Sequence, residues 1–371
     1  MVNKERMVAE FIELVKIDSL SLQERQMADK LKSIIMMLGL DVHEDDAGSR
    51  IGGNAGNLIF AVKGIKDVPA VLLMAHMDTV IPGKGKIPLI DGNIIKTDGS
   101  TVLGGDDLAG VECILEAIRV LKEDGLRHGD IRVVFTIAEE EGLLGAKYLD
   151  YGGISVKYGF VMDNGGPIGN IAIRAPSQNK IDVVVRGKAA HAGVEPEKGV
   201  SAIQIACDAI SQMRLGRIDE ETTANVGKID GGQVTNIICD MVEVKAEARS
   251  RDIHKLEQQT EHMRDCFVKA AVKFGGSVEF NSELMYPAFH IKDDDSIVAV
   301  LRKAAENAGL TLKLEATGGG SDTNIINGKG IQAVDVSVGM YKVHSVEEQI
   351  QISDLTGAAE FLIEIVSAVV N

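Results

Sequence analysis

Short apolar runs that alternate with helical segments constrain the fold of this chain more than any other feature. The runs are GNLIFAVKG (56–64), VLLMA (71–75), IRVVFTI (131–137), YGFVM (158–162) and IQAVDVSV (331–338). The segments between them, such as LAGVECILEAIRVL, repeat apolar residues at helical spacing. Alternating strands and helices are typical of a parallel sheet covered by helices. We therefore predict an α/β fold whose sheet is mostly parallel, with helices on both faces.

The pattern changes between residues 179 and 288. The segments there read in the order strand, helix, strand, strand, helix, strand: KIDVVVRG, SAIQIACDAISQM, ANVGKI, MVEVKAEAR, HKLEQQTEHMRDCFVKAAVKF and SVEFNSELMY. This βαββαβ order is that of a ferredoxin-like α+β domain. Because the α/β pattern resumes afterwards, we predict one domain formed by residues 1–178 and 289–371, with a second domain of residues 179–288 inserted into it.

A helix is predicted near the start of the chain, in SLQERQMADKLKSIIMMLGL. Ser21 and Glu24 have the spacing of a capping box, in which each side chain accepts a backbone N–H of the other residue. Apolar residues then recur on one helical face, and Gly39 ends the pattern. We therefore expect Ser21 and Glu24 to begin this helix.

The charge balance indicates the class of partner. The 371 residues include 55 acidic and 39 basic ones, a net charge of −16, which repels nucleic acid and anionic membranes and favours a small-molecule partner. No apolar run approaches the roughly 20 residues that span a bilayer, and MVNKERMVAE has no apolar signal core, so we expect a cytoplasmic location. The four cysteines lack pair spacing, so metal ligands would be histidine and carboxylate.

Side chains that can bind metal follow the predicted strands at the edge where ligands collect in an open α/β sheet. They are His76, Asp78, Glu139, Glu140, Asp163 and His344, and Asp106 lies in a glycine loop just before a helix. Any one of them alone is more often a cap or a solvated turn residue. Together they predict a site for zinc or a similar divalent ion, and the H-x-D spacing lets Asp78 hold the second imidazole nitrogen of His76.

A set of motifs resembles one enzyme family closely. The stretches are HMDTV, GGDDLAG, AEEEG, VMDNGGPIG, GKAAHAG, GGQVTN, GGGSDTN and VHSVEE, and they occur in the family's order between residues 76 and 348. The chain is similar to the co-catalytic zinc peptidase family that includes peptidase T, carboxypeptidase G, the aminoacylases and succinyl-diaminopimelate desuccinylase. Its extra domain lies between the fourth metal ligand and the last, where the peptidase T group has its lid. A related aminopeptidase family with a similar dinuclear core instead carries its extra domain between the H-x-D motif and the bridging acid.

The resemblance implies two Zn²⁺ ions per subunit, with Co²⁺ or Mn²⁺ as possible substitutes. His76 and Asp163 would hold one ion, Glu140 and His344 the other, and Asp106 would bridge them. Asp107 would then support the helix that follows. Leu108 departs from the family pattern, since many relatives have lysine there, but no ligand is affected.

The resemblance also assigns the catalytic step to AEEEG. Glu139 would be the base that takes a proton from a water shared by the two ions, with Asp78 as the partner of His76. Glu140 would be the ligand, because the family pattern E-E-x-G ends at Gly142. Glu141 then fills the variable position, and a slip of one residue would transfer both roles to Glu140 and Glu141.

Four residues resemble the family's substrate-binding positions: His191, Asn236, Arg249 and Gly319. The inserted domain would be a lid through which two subunits form a homodimer, with His191 acting in its own subunit or in its partner's. Each residue also has a simpler interpretation, since His191 suits an exposed loop and Arg249 suits a surface ion pair. A glycine-rich loop such as that around Gly319 is weak evidence by itself.

The functional prediction is a dinuclear zinc exopeptidase for short peptides, most like a tripeptide aminopeptidase. The first alternative keeps the fold and metals but hydrolyses N-acyl amino acids or dipeptides. A catalytically silent binding protein should have lost the base or a ligand, and all six of those positions are filled here. A nucleotide-dependent dehydrogenase should show G-x-G-x-x-G after its first strand, and that motif is missing there.

Overall fold

The computed structural model describes residues 1–370, which form two compact units. The first unit comprises residues 1–174, 290–317 and 321–370, and the second comprises residues 175–289 and 318–320. The second unit therefore includes the glycines Gly318–Gly320, which the sequence analysis placed in the main domain. A side chain at Gly320 would have its Cβ 2.3 Å from the ring of Tyr286, so this loop packs tightly against the end of the inserted segment.

The helices are α1 (Lys4–Val15), α2 (Arg25–Met37), α3 (Ala47–Ile51), α4 (Gly105–Glu123), α5 (Leu144–Tyr148), α6 (Ala202–Ser211), α7 (Ile253–Phe274), α8 (Ser296–Ala308), α9 (Asp322–Gly328) and α10 (Ile352–Ala368). The strands are β1 (Val42–Glu44), β2 (Leu58–Val62), β3 (Val71–His76), β4 (Pro88–Asp91), β5 (Ile94–Thr97), β6 (Ile131–Thr136), β7 (Tyr158–Asn164), β8 (Asn170–Ala175), β9 (Ser177–Arg186), β10 (Gly216–Arg217), β11 (Thr222–Gly231), β12 (Met241–Ser250), β13 (Ser277–Tyr286), β14 (Phe289–His290), β15 (Lys313–Ala316), β16 (Gln332–Ser337), β17 (Met340–Tyr341) and β18 (Gln349–Gln351).

The large sheet of the first unit runs β1-β2-β6-β3-β7-β16-β8, with β14 and β15 beside β8. Its centre, β6-β3-β7-β16, is parallel, and all six residues of β3 are buried. A strand buried on both faces explains the continuous apolar run VLLMA, because helices such as α4 and α9 cover the sheet. The predicted α/β class, with a mostly parallel sheet and helices on both faces, is confirmed.

A second, antiparallel sheet of the first unit has the strand order β17-β18-β5-β4. The seven residues between β17 and β18 form a loop that carries His344 and Glu348. This small sheet fixes both ends of the loop through the pairing of Tyr341 with Gln349.

The second unit is an antiparallel sheet in the order β10-β11-β12-β9-β13, with α6 and α7 packed on one face. Alternate residues of β9, namely Ile181, Val183 and Val185, are buried in this core beside Phe267 of α7. Apart from the short β10, the elements follow the predicted βαββαβ order. The ferredoxin-like α+β prediction is therefore confirmed, while its role as a lid stays a prediction.

The predicted start of α2 is wrong. The helix begins at Arg25, Glu24 is its N-cap residue, and no side chain caps it. Ser21 and Glu24 do not bond to each other because both side chains are engaged elsewhere: Ser21 donates to Asp78, and Glu24 accepts N–H groups of Leu22 and Ala138. The capping-box spacing is present in the sequence, but both side chains bond to residues elsewhere in the fold.

Two helical glycines should respond oppositely to substitution by alanine. At Gly110, in α4, a Cβ would lie 2.2 Å from the backbone oxygen of Met162, so Gly110→Ala should destabilise the protein by about 1–3 kcal/mol. At Gly357, in α10, the nearest atom would be Ile168 Cγ1 at 3.8 Å, so Gly357→Ala should stabilise it by up to about 1 kcal/mol. Chemical denaturation of both variants tests this, and shifts in the same direction would contradict the packing described.

Candidate metal centre

The ends of three neighbouring strands bring the predicted site residues together. His76 is the last residue of β3 and pairs with Thr136, the last residue of β6. Asp163 lies near the end of β7, on the other side of β3. Because these strands are parallel, their carboxyl ends meet at one edge, as the sequence predicts.

Asp106 lies between two imidazole rings. Its Oδ1 is 3.1 Å from His76 Nε2 and its Oδ2 is 3.3 Å from His344 Nε2. The residue precedes the regular part of α4 and has extended rather than helical backbone angles, with φ −81° and ψ 101°. One carboxylate thus faces both halves of the cluster, which is the arrangement required of a bridging ligand.

The remaining predicted ligands divide between the two halves. Asp163 Oδ1 is 3.7 Å from His76 Nε2, and Glu140 Oε1 is 2.9 Å from His344 Nε2. His344 has a φ of 60°, the left-handed region that costs a non-glycine residue about 1 kcal/mol or more. The loop between β17 and β18 therefore holds this imidazole against Glu140 in spite of backbone strain.

Asp107 supports the structure around His76. Its Oδ1 accepts the N–H of Gly110 at 3.1 Å, and its Oδ2 accepts the N–H of His76 at 3.2 Å. The carboxylate therefore fastens the start of α4 to the end of β3. This agrees with the expectation that Asp107 supports the helix.

Asp78 connects His76 to the segment after β6. His76 Nδ1 is 2.9 Å from the backbone oxygen of Asp78 and 3.4 Å from its Oδ1. A carbonyl oxygen can only accept, so Nδ1 donates its proton to it, and Nε2 is the ring nitrogen that faces Asp106. The carboxylate of Asp78 also accepts the N–H groups of Glu139 and Glu140, at 3.0 and 3.3 Å.

The backbone turns sharply before the three consecutive glutamates. Ala138 has a φ of 46°, so the chain has left the extended course of β6 when it reaches Glu139 and Glu140. Glu139 is only 7 % exposed, and its pKa is raised well above the usual value by burial. Glu140 points to His344 instead. The two acids thus occupy different environments, as the sequence analysis expects.

The electrostatics of the cluster suit cations. Burial raises the pKa of Asp163 and of Glu140, and the charge of neighbouring carboxylates raises both further. Hydrogen bonds to Asp106 and Glu140 raise the pKa of His344 to about 10. Burial alone would lower the pKa of His76, but its bonds to Asp106 and Asp78 raise it. Raised pKa values of both the carboxyls and the imidazoles mean that this acidic cluster attracts positive charge, which protons supply here.

The donor set fits divalent metal. Two groups of side chains each place one ligand atom per residue within 4.8 Å of the others: His76, Asp106 and Glu140, and His76, Asp107 and Asp163. Imidazole and carboxylate donors suit zinc and similar ions, and a cation would offset the burial and the repulsion that raise these carboxyl pKa values. The residues present thus fit a metal centre.

Two acids that were not among the predicted site residues hold the backbones of ligands. Glu348 accepts the N–H groups of Gly104 and Asp106, at 2.8 and 3.0 Å, and burial raises its pKa to about 7. Asp335, in β16, accepts the N–H of Asp163 at 3.1 Å, and burial likewise raises its pKa to about 7. A carboxylate inside the apolar run IQAVDVSV was the available signal for Asp335.

The predicted substrate-binding residues all lie in the second unit. His191 and Asn236 lie on adjacent backbones, since Ala192 N–H donates to the oxygen of Asn236 at 3.0 Å, and both side chains are exposed. Arg249 forms a two-bond ion pair with Glu247, at 3.0 Å for each bond. The alternative of an ion pair for Arg249 is thus present in the structure.

The loop that contains Gly319 belongs to the second unit and neighbours Tyr286, since Gly320 packs on that ring. Burial lowers the pKa of the Arg249 guanidinium, but the hydrogen bonds to Glu247 and the nearby Tyr286 outweigh burial and raise it. Arg249 and the glycine loop therefore share Tyr286 as a neighbour.

The sequence profile of peptidase family M20/M25/M40 matches residues 72–368, which include every residue of the metal centre. The chain belongs to this family. The resemblance inferred from the motifs is confirmed, and the protein is a metal-dependent peptidase.

Three relatives of this M20-family chain match it over nearly its whole length. The uncharacterized protein YqjE of Bacillus subtilis strain 168 is 47 % identical over 366 residues, 99 % of each chain. The crystal structure of aminopeptidase PepT from Bacillus cereus ATCC 10987 is 46 % identical, with a TM-score of 0.89 and 100 % of both chains covered. A tripeptidase from Staphylococcus aureus subsp. aureus Mu50 is 41 % identical, with a TM-score of 0.94, covering 100 % of this chain and 99 % of its own.

Within residues 1–370 of this family member, no helix is both long and apolar enough to cross a membrane. The cytoplasmic location stays a prediction. So do the roles of individual site residues, the identity and number of the metal ions, and the homodimer.

Proposed function

We propose that the protein is a dinuclear zinc exopeptidase that removes the N-terminal residue of short peptides, as a tripeptide aminopeptidase does. The observation that carries this proposal is the position of Asp106, whose two carboxylate oxygens lie 3.1 and 3.3 Å from the imidazoles of His76 and His344. The substrate class is supported by 46 % and 41 % identity to an aminopeptidase and a tripeptidase over the full chain.

In this proposal the five ligands are His76 and Asp163 for one Zn²⁺, Glu140 and His344 for the other, and Asp106 for both. Co²⁺ or Mn²⁺ could replace zinc, since they accept the same donors. When bound, such ions lower the pKa of water and polarise the scissile carbonyl. Asp78 orients His76 by holding its Nδ1–H on the far side of the ring.

Glu139 is the proposed base. Its side chain is almost completely buried. His344 is contacted by Glu140, which leaves the carboxylate of Glu139 available for proton transfer. The carboxylate takes one proton from the attacking water as the new C–O bond forms. It then gives that proton to the leaving amine nitrogen as the C–N bond breaks.

The second unit is proposed to bind the substrate through His191, Asn236, Arg249 and Gly319. Arg249 can bind a peptide carboxylate with two parallel hydrogen bonds, in exchange for part of its contact with Glu247. Exposed apolar side chains of this unit, Ile203, Val234 and Ile237, support a homodimer formed through it. Sedimentation should give about twice 39.7 kDa, and a monomer would contradict the dimer.

A substrate panel tests the proposed function. Zinc-loaded protein should hydrolyse tripeptides with a free N-terminus and release the first residue. Dipeptides and N-acyl amino acids should be hydrolysed at least about tenfold more slowly at equal concentration, a discrimination of roughly 1.4 kcal/mol. Faster turnover of N-acyl amino acids or dipeptides would assign the alternative activity instead. Blocking the N-terminus of the tripeptide by acetylation is the matched control, because an aminopeptidase should lose that substrate.

A further inference from the structure

The segment of residues 19–24, which we name the N-terminal tether, lies directly against the metal centre. The N–H of Thr79 donates to the backbone oxygen of Ser19 at 2.7 Å, and Leu20 forms a parallel bridge with Thr79. The hydroxyl of Ser19 donates to the backbone oxygen of Met77. The tether is thus bonded along the HMDT motif. The apolar pattern of the tether did not indicate this contact.

Glu24 connects the tether to the turn that precedes Glu139. Its side chain is fully buried, and Oε1 accepts the N–H of Leu22 at 2.8 Å and the N–H of Ala138 at 3.0 Å. Leu22 and Ala138 both have left-handed backbone angles, with φ of 67° and 46°. Such angles persist in non-glycine residues only where neighbouring contacts hold them. Glu24 is the side chain that holds both.

Ser21 reaches the same turn through Asp78. Its hydroxyl donates to Asp78 Oδ2 at 2.7 Å, and the carboxylate of Asp78 accepts the N–H groups of Glu139 and Glu140. Three consecutive N–H groups, those of Ala138, Glu139 and Glu140, are therefore held by carboxylates that belong to the tether or are bonded to it. The direction of both glutamate side chains depends on these bonds.

We propose that Ser21 and Glu24 are positioning residues for hydrolysis, which fix the turn at Ala138 and so aim Glu139 at the reacting water and Glu140 at its ligand position. This inference rests on the proposed role of Glu139 as base. A misplacement of about 1 Å at a reacting group can cost roughly 100-fold in rate. The tether acts through the turn that carries both glutamates, so its loss should affect kcat rather than KM.

Four variants test the proposal. Glu24→Ala removes the acceptor and should lower kcat for a tripeptide at least about 30-fold, with KM changed less than about threefold. Glu24→Gln keeps an acceptor oxygen at the same place and should retain kcat within about threefold. Ser21→Ala should lower kcat by about tenfold. Gln26→Ala, an exposed neighbour on α2, should leave kcat unchanged.

A control at another buried acid distinguishes a positioning role from a purely structural one. Glu116 is fully buried and paired with Arg6. Glu116→Ala should lower the thermal midpoint while retaining kcat, whereas Ser21→Ala should lower kcat with little change in the midpoint. If Glu24→Ala does not fold, Ser21→Ala and Glu24→Gln still decide the matter.

A second readout does not depend on catalysis. In metal-free protein, hydrogen exchange of the peptide covering residues 137–143 should be at least about tenfold faster in Glu24→Ala than in Glu24→Gln, because the Ala138 N–H has lost its acceptor. Wild-type kcat and exchange in Glu24→Ala, or equal kcat losses in Glu24→Ala and Glu24→Gln, would overturn the proposal. If instead Glu139→Gln keeps full activity, the proposed function fails, while the exchange comparison still tests the tether.

Discussion

Replacement of Glu139 by glutamine should lower kcat for a tripeptide by about 10²- to 10⁴-fold while both metal ions stay bound. Glutamine has the same shape but cannot take a proton from water, so the loss should appear in kcat. The metal content should persist because Glu139 is not one of the five proposed ligands. Steady-state kinetics and elemental analysis of the same protein preparation measure the two quantities.

Glu140→Gln is the matched control, because the two residues are adjacent and chemically identical. Glu140 lies 2.9 Å from His344, so this change should weaken binding of one ion, and added zinc should restore part of the activity. Equal metal loss in the two variants would contradict the separate roles. If the roles were instead shifted by one residue along the three glutamates, Glu140→Gln would keep both ions and lose activity, and Glu141→Gln would weaken metal binding.

Asp106→Asn should lose both metal ions rather than one. The two carboxylate oxygens of Asp106 face different imidazoles, and asparagine supplies only one oxygen and no charge. Loss of a ligating carboxylate should weaken the affinity for zinc by more than about 100-fold. Replacement of a residue that only hydrogen-bonds to a ligand already costs up to about that much affinity. Activity should fall to background at zinc concentrations that saturate the wild type.

Asp91→Asn controls for the loss of a negative charge, since Asp91 is an exposed residue of β4 paired with Lys96. It should bind zinc as the wild type does. Retention of one tightly bound ion by Asp106→Asn would contradict a bridging role. Calorimetric titration of zinc into the metal-free variants distinguishes these results.

The position of the metal centre could be predicted because strand ends are local features. His76 and Asp163 each follow or end an apolar run that is buried on both faces, and parallel strands place their carboxyl ends at one edge. The resemblance to the family added the register, which distinguishes Glu139 from Glu140. Without it, three consecutive glutamates offer no local means to choose between them.

The contacts that hold the site could not be predicted because they join residues far apart in the chain. Ser21 and Asp78 are 57 positions apart, and Asp106 and Glu348 are 242 apart. Local spacing instead favoured a capping box at Ser21 and Glu24, an interpretation that the long-range bonds overrule. The close packing of Gly320 on Tyr286 is likewise invisible to patterns within either segment.

The most direct test of the central claim is a titration of metal-free protein with zinc, followed by hydrolysis of a tripeptide. The proposed function predicts no turnover without metal and full turnover only when two ions are bound per chain. It also predicts that a chelator abolishes the activity and that zinc restores it. Turnover at the full rate in protein that contains less than about one ion per ten chains would contradict the account.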